Sequence, residues 1–402
     1  MKRAVIRRTA GFSLIELLVA MVIALVVTLA ITRVLIVGEG SKRSTTSVND
    51  LSQNGAYAAY LLDRAIRSSG SGFSQSWGTT FGCLLDVSLG PTRVLPVALP
   101  ASSAFTRVTQ PIRLAPIVIA KDLADTTTGT PQVRGDVLVV MAGTGGFGEM
   151  EQVVTPGSVS TAGMALQNAL GYGTDDLALL ADPTVAGGCM LQQVGTRIRG
   201  TAGPAVTFGG SGTTYYGGSG TYYAANGTNV NLTNFGASTI ALQLGNAATN
   251  PPQFKLYGVG ANNTLVSYDL LQPQPQDDTP LADGVVEMRA LYGLDTSVPP
   301  DGTVDTWVDP VAGSDFEAGV LTNGSAASLT RLRQISAIRL GLILRTSLAE
   351  KDYQQPGGTT LTLFGDLGGA LPQTRALTAG ELNYRFRTVE VTIPLRNVLM
   401  AP

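Results

Sequence analysis

Histidine is absent from all 402 residues of this chain, which removes Ser-His and Cys-His nucleophile pairs and His-ligated metal centres together. Charge is scarce as well: 14% of residues are Asp, Glu, Lys or Arg, against a usual share of about 25%. Adjacent carboxylates such as Asp175-Asp176 and Asp277-Asp278 lie in polar sequence, where they make a solvated turn rather than an acid-base dyad. No Walker loop or dinucleotide fingerprint stands between a strand and a helix. A basic aromatic cluster is missing too, so no nucleic-acid partner is predicted. The residues point to no enzyme, no catalytic group and no cofactor.

What the chain does have is one long apolar run. From Leu14 it carries a single carboxylate, Glu16, and no further charge until Arg33, long enough for a spanning helix of roughly 20 residues. Lys2, Arg3, Arg7 and Arg8 precede it, and the positive-inside rule then puts everything after Val37 on the far side of the membrane. A carboxylate costs on the order of 2.5 to 3.5 kcal/mol near the centre of such a helix, so Glu16 marks function or reaches headgroups from the helix end. A secretory signal peptide would place small residues after its apolar core. Here Gly11 comes before the core, and a cut there would discard the basic leader and keep the helix.

Gly11-Phe12-Ser13-Leu14-Ile15-Glu16-Leu17 resembles the prepilin leader of type IV pilins and type II secretion pseudopilins. The resemblance implies cleavage after Gly11 by prepilin peptidase and N-methylation of Phe12 to N-methylphenylalanine. It also implies that Glu16 pairs with the N-terminal amine of a neighbouring subunit. That agrees with physical expectation, since a carboxylate among helices in lipid is tolerable only when a donor or cation meets it. Loss of the four basic leader residues takes the net charge from −2 to −6, leaving no basic surface on the body as a whole.

The chain's two cysteines are Cys83 and Cys189. Outside the cytoplasm they read as one long-range disulfide, with two buried thiols as the alternative. Closing a loop of roughly 100 residues would stabilise by about 4.7 kcal/mol in the chain-entropy account. Beyond the membrane segment, Val48, Leu51, Gly55, Ala58, Leu62 and Ala65 recur at spacings of three and four, so the helix continues with one apolar stripe. Gly38 and Gly40 offer a place to bend it, and Gly70 and Gly72 stop it.

The rest reads as short strands between turns. Ile112 to Ile119, Val137 to Met141, Phe254 to Val259 and Val285 to Leu291 are apolar and β-prone, and Val389, Val391, Ile393 and Leu395 alternate with polar neighbours. Ile335 to Thr346 is ambiguous between helix and strand and leans to strand. The expected fold class is α+β: a long N-terminal transmembrane and amphipathic α-helix packed on a large, mainly antiparallel β-sheet body. The domains are a leader at 1–11, a helix at 12–70 with its transmembrane part at 12–37, and an extracytoplasmic body at 71–402. A Gly/Ser/Tyr-rich insert at about 195–234 is a surface hairpin on the plain reading, or an adhesive tip on the sharper one.

Asp283 to Asp295, Asp301 to Trp307, Cys189 to Val194, Arg333 to Arg345, Arg385 to Asn397 and Leu51 to Tyr57 resemble blocks of PilW-type minor pilins. In many relatives the Asp-rich loop reads like a calcium loop. Here Ser297, Val298, Pro299 and Pro300 interrupt it, leaving Asp295, Asp301 and Asp305 as weak metal candidates, while Asp-Gly is equally a turn signal. The resemblance implies a minor pilin that primes or caps a type IV pilus. Its partners would be other minor pilins, the major pilin, prepilin peptidase, the inner-membrane assembly platform and lipid. It would sit as a single-pass inner-membrane protein with its body in the periplasm, or at the fibre or its tip. A minor pseudopilin of a secretion or DNA-uptake system and a membrane-anchored adhesin are the alternatives.

Overall fold

Spacings of three and four place Leu51, Gly55, Ala58, Leu62 and Ala65 on one face of an α-helix, and all of them, with Ile66, are buried. The computed structural model describes residues 11, 13–124, 135–145, 150–184, 188–200, 203–212, 214–217, 221–223, 229–236, 238–350, 353–356 and 358–399. It contains one long helix, Leu14–Ser68, followed by a body of mostly antiparallel sheets. The chain divides by contacts into Met1–Asp50 and Leu51–Pro402.

The first unit is helical from Leu14 onward, and its large apolar side chains are exposed throughout. It holds the one stretch, among the described residues, long and apolar enough to cross a membrane. Helix runs through Gly38 and Gly40 without a break. A glycine there weakens helix propensity by about 1 kcal/mol but removes no hydrogen bond, and nothing lies within 4 Å of either position to displace it.

In the second unit the helix ends at Ser68, and Gly70 and Gly72 follow in the left-handed region at φ of 78° and 81°. Gly70 donates its N–H to the Met141 carbonyl at 2.8 Å, so the stop residue also ties the helix to a strand. The terminal carbonyls of Ser68 and Ser69 accept from the Asn397 side-chain amide at 3.2 and 3.0 Å, which satisfies groups that a helix end otherwise leaves unpaired.

Among the described residues the body contains three larger sheets and two two-stranded ones. The largest runs, in spatial order, Thr92–Leu95, Leu84–Leu89, Gly188–Gly200, Asp176–Ala181, Ile240–Asn246 and Gln152–Val153, with Gly203–Phe208 and Gly163–Ala165 continuing from the long central strand. A five-stranded sheet runs Thr279–Asp283, Thr264–Asp269, Gln253–Gly260, Val137–Ala142 and Ile117–Ala120. A four-stranded sheet runs Thr306–Val308, Val285–Leu294, Ile335–Arg345 and Phe386–Pro394. Among the described pairs only Leu84–Leu89 with Gly188–Gly200 is parallel.

The segment from Ile335 is a strand, buried at almost every position. One of its faces meets the helix, where a Cβ on Gly55 would come 3.1 Å from Leu344 and 3.5 Å from Val389. On the other face Ile343, with Leu291, packs on Leu363 and Phe364 beside the hairpin Thr360–Leu363 and Gln373–Ala376. The run from Ile112 becomes a strand only at Ile117–Ala120, because Pro116 interrupts it and lacks the N–H a ladder needs. Strands Thr221–Tyr223 and Asn229–Asn231 form a hairpin within the Gly-rich insert, and a second core of Val154, Met164, Leu166, Tyr172, Met190 and Val206 forms beside it.

Charge joins two of the sheets. Asp136, fully buried, accepts from the Ala290 N–H at 2.9 Å and meets Arg289 at 3.1 Å, while Arg289 also binds Glu287 at 2.6 Å and Asp122. Arg375 in the hairpin pairs with Glu381 at 2.6 Å and lies 3.8 Å from Glu287. Burial pushes the Asp136 carboxyl up from its ordinary value against the pull of Arg289 and Lys121.

At Gly55 the helix packs closely on the sheet, so the physics predicts a size limit. Gly55→Leu should destabilise the body by about 1–3 kcal/mol through overpacking, read as a lower midpoint in urea denaturation followed by tryptophan fluorescence.

Candidate functional site

The helix N-terminus carries a reciprocal hydrogen-bond pair. The Ser13 N–H donates to Glu16 Oε2 at 3.2 Å, and the Glu16 N–H donates to Ser13 Oγ at 3.2 Å. This is a capping box: two otherwise unpaired N–H groups of the first turn are satisfied by each other's side chains. A carboxylate in the first turn also favours the helix dipole. The signal was present in Ser13-Leu14-Ile15-Glu16 as Ser-x-x-Glu before an apolar run, and a reading that gave Glu16 wholly to a neighbouring subunit passed over it. Gly11 is exposed with nothing within 4 Å of its Cβ position. Phe12 lies outside the described residues.

Within the body, the Asp-rich loop joins Val285–Leu294 to Thr306–Val308. Asp295 is buried and accepts from Ser297 N–H at 3.0 Å and Gly302 N–H at 2.7 Å. Asp301 accepts from the N–H of Thr303 at 2.9 Å and from its hydroxyl. Asp305 accepts from the N–H and hydroxyl of Thr296 at 2.7 and 2.9 Å. Hydrogen bonds from Thr303 and from Thr296 hold Asp301 and Asp305 below the usual carboxyl range. Asp295 and Asp305 both hold Ser297, one by its N–H and the other by its hydroxyl, and among the described residues no three Asp, Glu, Cys or His side chains are grouped to hold a metal ion.

Residues 256–397 match the family model of type IV pilus-assembly protein W, and residues 6–32 match the prokaryotic N-terminal methylation motif. Its two matched regions are those of a PilW-like type IV minor pilin. No curated protein and no solved structure matches it significantly.

The matched body region contains the four-stranded sheet, the Asp-rich loop and the hairpin packed on the sheet. Asp283 to Trp307, Arg333 to Arg345 and Arg385 to Asn397 fall inside it, whereas Cys189 to Val194 and Leu51 to Tyr57 fall in neither match. Residues 33–255 therefore supply all of the eight-stranded sheet from sequence outside both models. Cys83 and Cys189 are joined there, with Cα atoms 5.6 Å apart and 106 residues of separation. The bond sits where the parallel strands begin, Leu84 opposite Gly188 and Leu85 opposite Cys189. Cross-linking at that point removes chain entropy from the unfolded state and fixes a pairing that no short turn could close.

Because Asp295 holds two backbone donors, Asp295→Ala should lower stability by about 1–3 kcal/mol, while a chelator should leave the wild-type melting temperature unchanged. The pH response follows from the depressed carboxyls of Asp301 and Asp305. A carboxyl lowered in the folded state contributes above its unfolded value and loses that contribution only as pH falls through the folded one. The loop's amide NMR signals should accordingly keep their native positions down to about pH 4.

Proposed function

We propose that this pilin primes or caps the assembly of a type IV pilus. The observation that carries the reading is the presence, on one chain, of a prepilin-type N-terminus at 6–32 and a PilW region at 256–397. Both belong to structural proteins of pilus assembly, and the PilW match favours a pilus over a secretion or DNA-uptake pseudopilus. Prepilin peptidase cuts after Gly11 and methylates Phe12. The helix then leaves the inner membrane for the fibre, with the body in the periplasm until it does.

The capping box adds a step to this reading. In the single chain the Glu16 carboxylate is held by its own Ser13 N–H. Cleavage creates an ammonium at Phe12, and a charge-assisted bond to it is roughly twice as strong as a neutral one. Glu16 exchanges a bond within its own helix for one to the Phe12 amine of the next subunit, another minor pilin or the major pilin. Assembly then costs the loss of one cap and gains an ion pair in lipid, which sets the axial register of the two helices.

Gly11→Val should leave the leader on the chain, read by intact mass, and abolish its contribution to piliation. Glu16→Gln should be processed normally but reduce incorporation about tenfold, the loss expected for about 1.4 kcal/mol of subunit contact. Normal pili from the uncleaved Gly11 variant would refute the assembly reading.

A further inference from the structure

A polar cleft of about 240 Å³ opens beside the Cys83–Cys189 bond. Its walls are the short helix Trp77–Thr80, the Gly82-Cys83 turn, the Asn323-Gly324 turn after Ala318–Leu321, and the Asp182-Pro183 segment. Two glycines fix its shape. Gly82 and Gly324 have φ of 75° and 78°, and a Cβ on Gly82 would lie 2.6 Å from the Gly324 Cα, so backbone meets backbone where no side chain fits.

Arg113 is the single cationic side chain lining this cleft among the described residues. One of its guanidinium nitrogens, Nη1, donates to the Gly82 carbonyl at 2.7 Å. Its remaining N–H groups have no partner among the described residues. Arg113 also borders a second cavity of about 80 Å³, lined by Ile112, Val118, Val139 and Ala318, so the residue is held between an apolar wall and a carbonyl. Asp182, the one carboxylate in the lining, does not pair with it. Its Oδ1 accepts from the N–H and hydroxyl of Thr184 at 2.9 and 2.6 Å, and its Oδ2 from Gly236 N–H and the Thr239 hydroxyl at 3.1 and 2.7 Å. Asn323 uses only its Oδ1, which accepts from the Ser325 N–H at 2.8 Å, and the Thr79 hydroxyl is unengaged. The cleft thus offers a guanidinium, an amide and a hydroxyl as donors, against a carboxylate whose oxygens are already occupied.

We propose that this cleft binds a peptide carboxylate, presented by a partner polypeptide as a chain terminus or as an Asp or Glu side chain. The guanidinium fork matches a carboxylate in geometry and charge. The volume fits this choice. One water needs roughly 10–15 Å³ of such space, so the cleft holds far more than an ion, yet it lies below the roughly 300–1,000 Å³ of sites for larger ligands. A carboxylate together with the peptide segment that carries it fits this space. The proposal does not rest on the pilus reading, since a chain that builds no pili would still bind.

Isothermal titration calorimetry of the full chain in detergent micelles tests it with four probes: acetyl-trialanine, acetyl-Ala-Asp-Ala amide, acetyl-trialanine amide and inorganic phosphate. One of the two carboxylate probes should bind with Kd of about 1 mM or tighter, identifying the source, and the uncharged amide at least about tenfold more weakly. Asn323→Asp keeps an oxygen for the Ser325 N–H but places a negative charge in the cleft, and should weaken binding by about tenfold or more with an unchanged melting temperature. Thr79→Val and Arg113→Gln give independent variants with the same expected direction. Equal binding of the uncharged amide, tighter binding of inorganic phosphate than of either peptide, no heat from any probe, or undiminished binding in both the Asn323 and Arg113 variants would overturn the proposal.

Discussion

The arrangement of the body depends on a buried charge. Asp136 opens the strand Val137–Ala142, and Arg289 lies in Val285–Leu294. Their contact at 3.1 Å therefore joins the five-stranded sheet to the four-stranded one. A carboxylate with no exposed surface is tolerated only with its hydrogen bonds met, and removing one partner of such a pair costs about 3–5 kcal/mol. Asp136 meets that condition through the N–H groups of Ala290 and Asp122 as well as Arg289. The helix from Leu51 depends on the same joint. Gly55 packs on Leu344 and Val389 of one sheet, and Gly70 bonds to Met141 of the other. If the two sheets shifted, no single helix could keep both contacts.

Two kinds of constraint therefore operate in the two units of the chain. In the body, polar groups are paired permanently: Asp295 with its loop, Asp182 with four donors, Arg289 with three carboxylates. At the helix N-terminus the pairing of Ser13 with Glu16 is exposed and local. A cap of this kind contributes about 1 kcal/mol, small beside the cost of breaking a buried charge pair.

Much of the architecture was legible in the residues. The stripe from Leu51 to Ala65 has a helical period and is buried, and Val389, Val391 and Ile393 alternate as a strand with one inward face. Other features resisted reading for physical reasons. Ile335 to Arg345 is buried on both faces, by the helix and by the hairpin, so it shows an almost unbroken apolar run in which strand and helix look alike. The capping box at Ser13 and Glu16 was visible in the motif but overshadowed by the charge in an apolar run. The Asp136–Arg289 joint was not readable at all, because 153 residues separate the pair and nothing local marks either one. The cleft at Arg113 is likewise a product of tertiary placement, assembled from turns far apart in sequence.

The side-chain amide of Asn397 holds the carbonyls of Ser68 and Ser69 from 329 and 328 residues downstream. A ribosome delivers the helix first and this clasp long afterwards. Until Phe386–Pro394 has been made and has paired with Ile335–Arg345, the spine of the subunit has neither its last sheet neighbour nor its terminal clasp. A chain cut short in synthesis would present a membrane anchor bound to an unfinished body, and its helix would lack a fixed seat. Completeness of translation is thereby written into the docking of the helix on its own body.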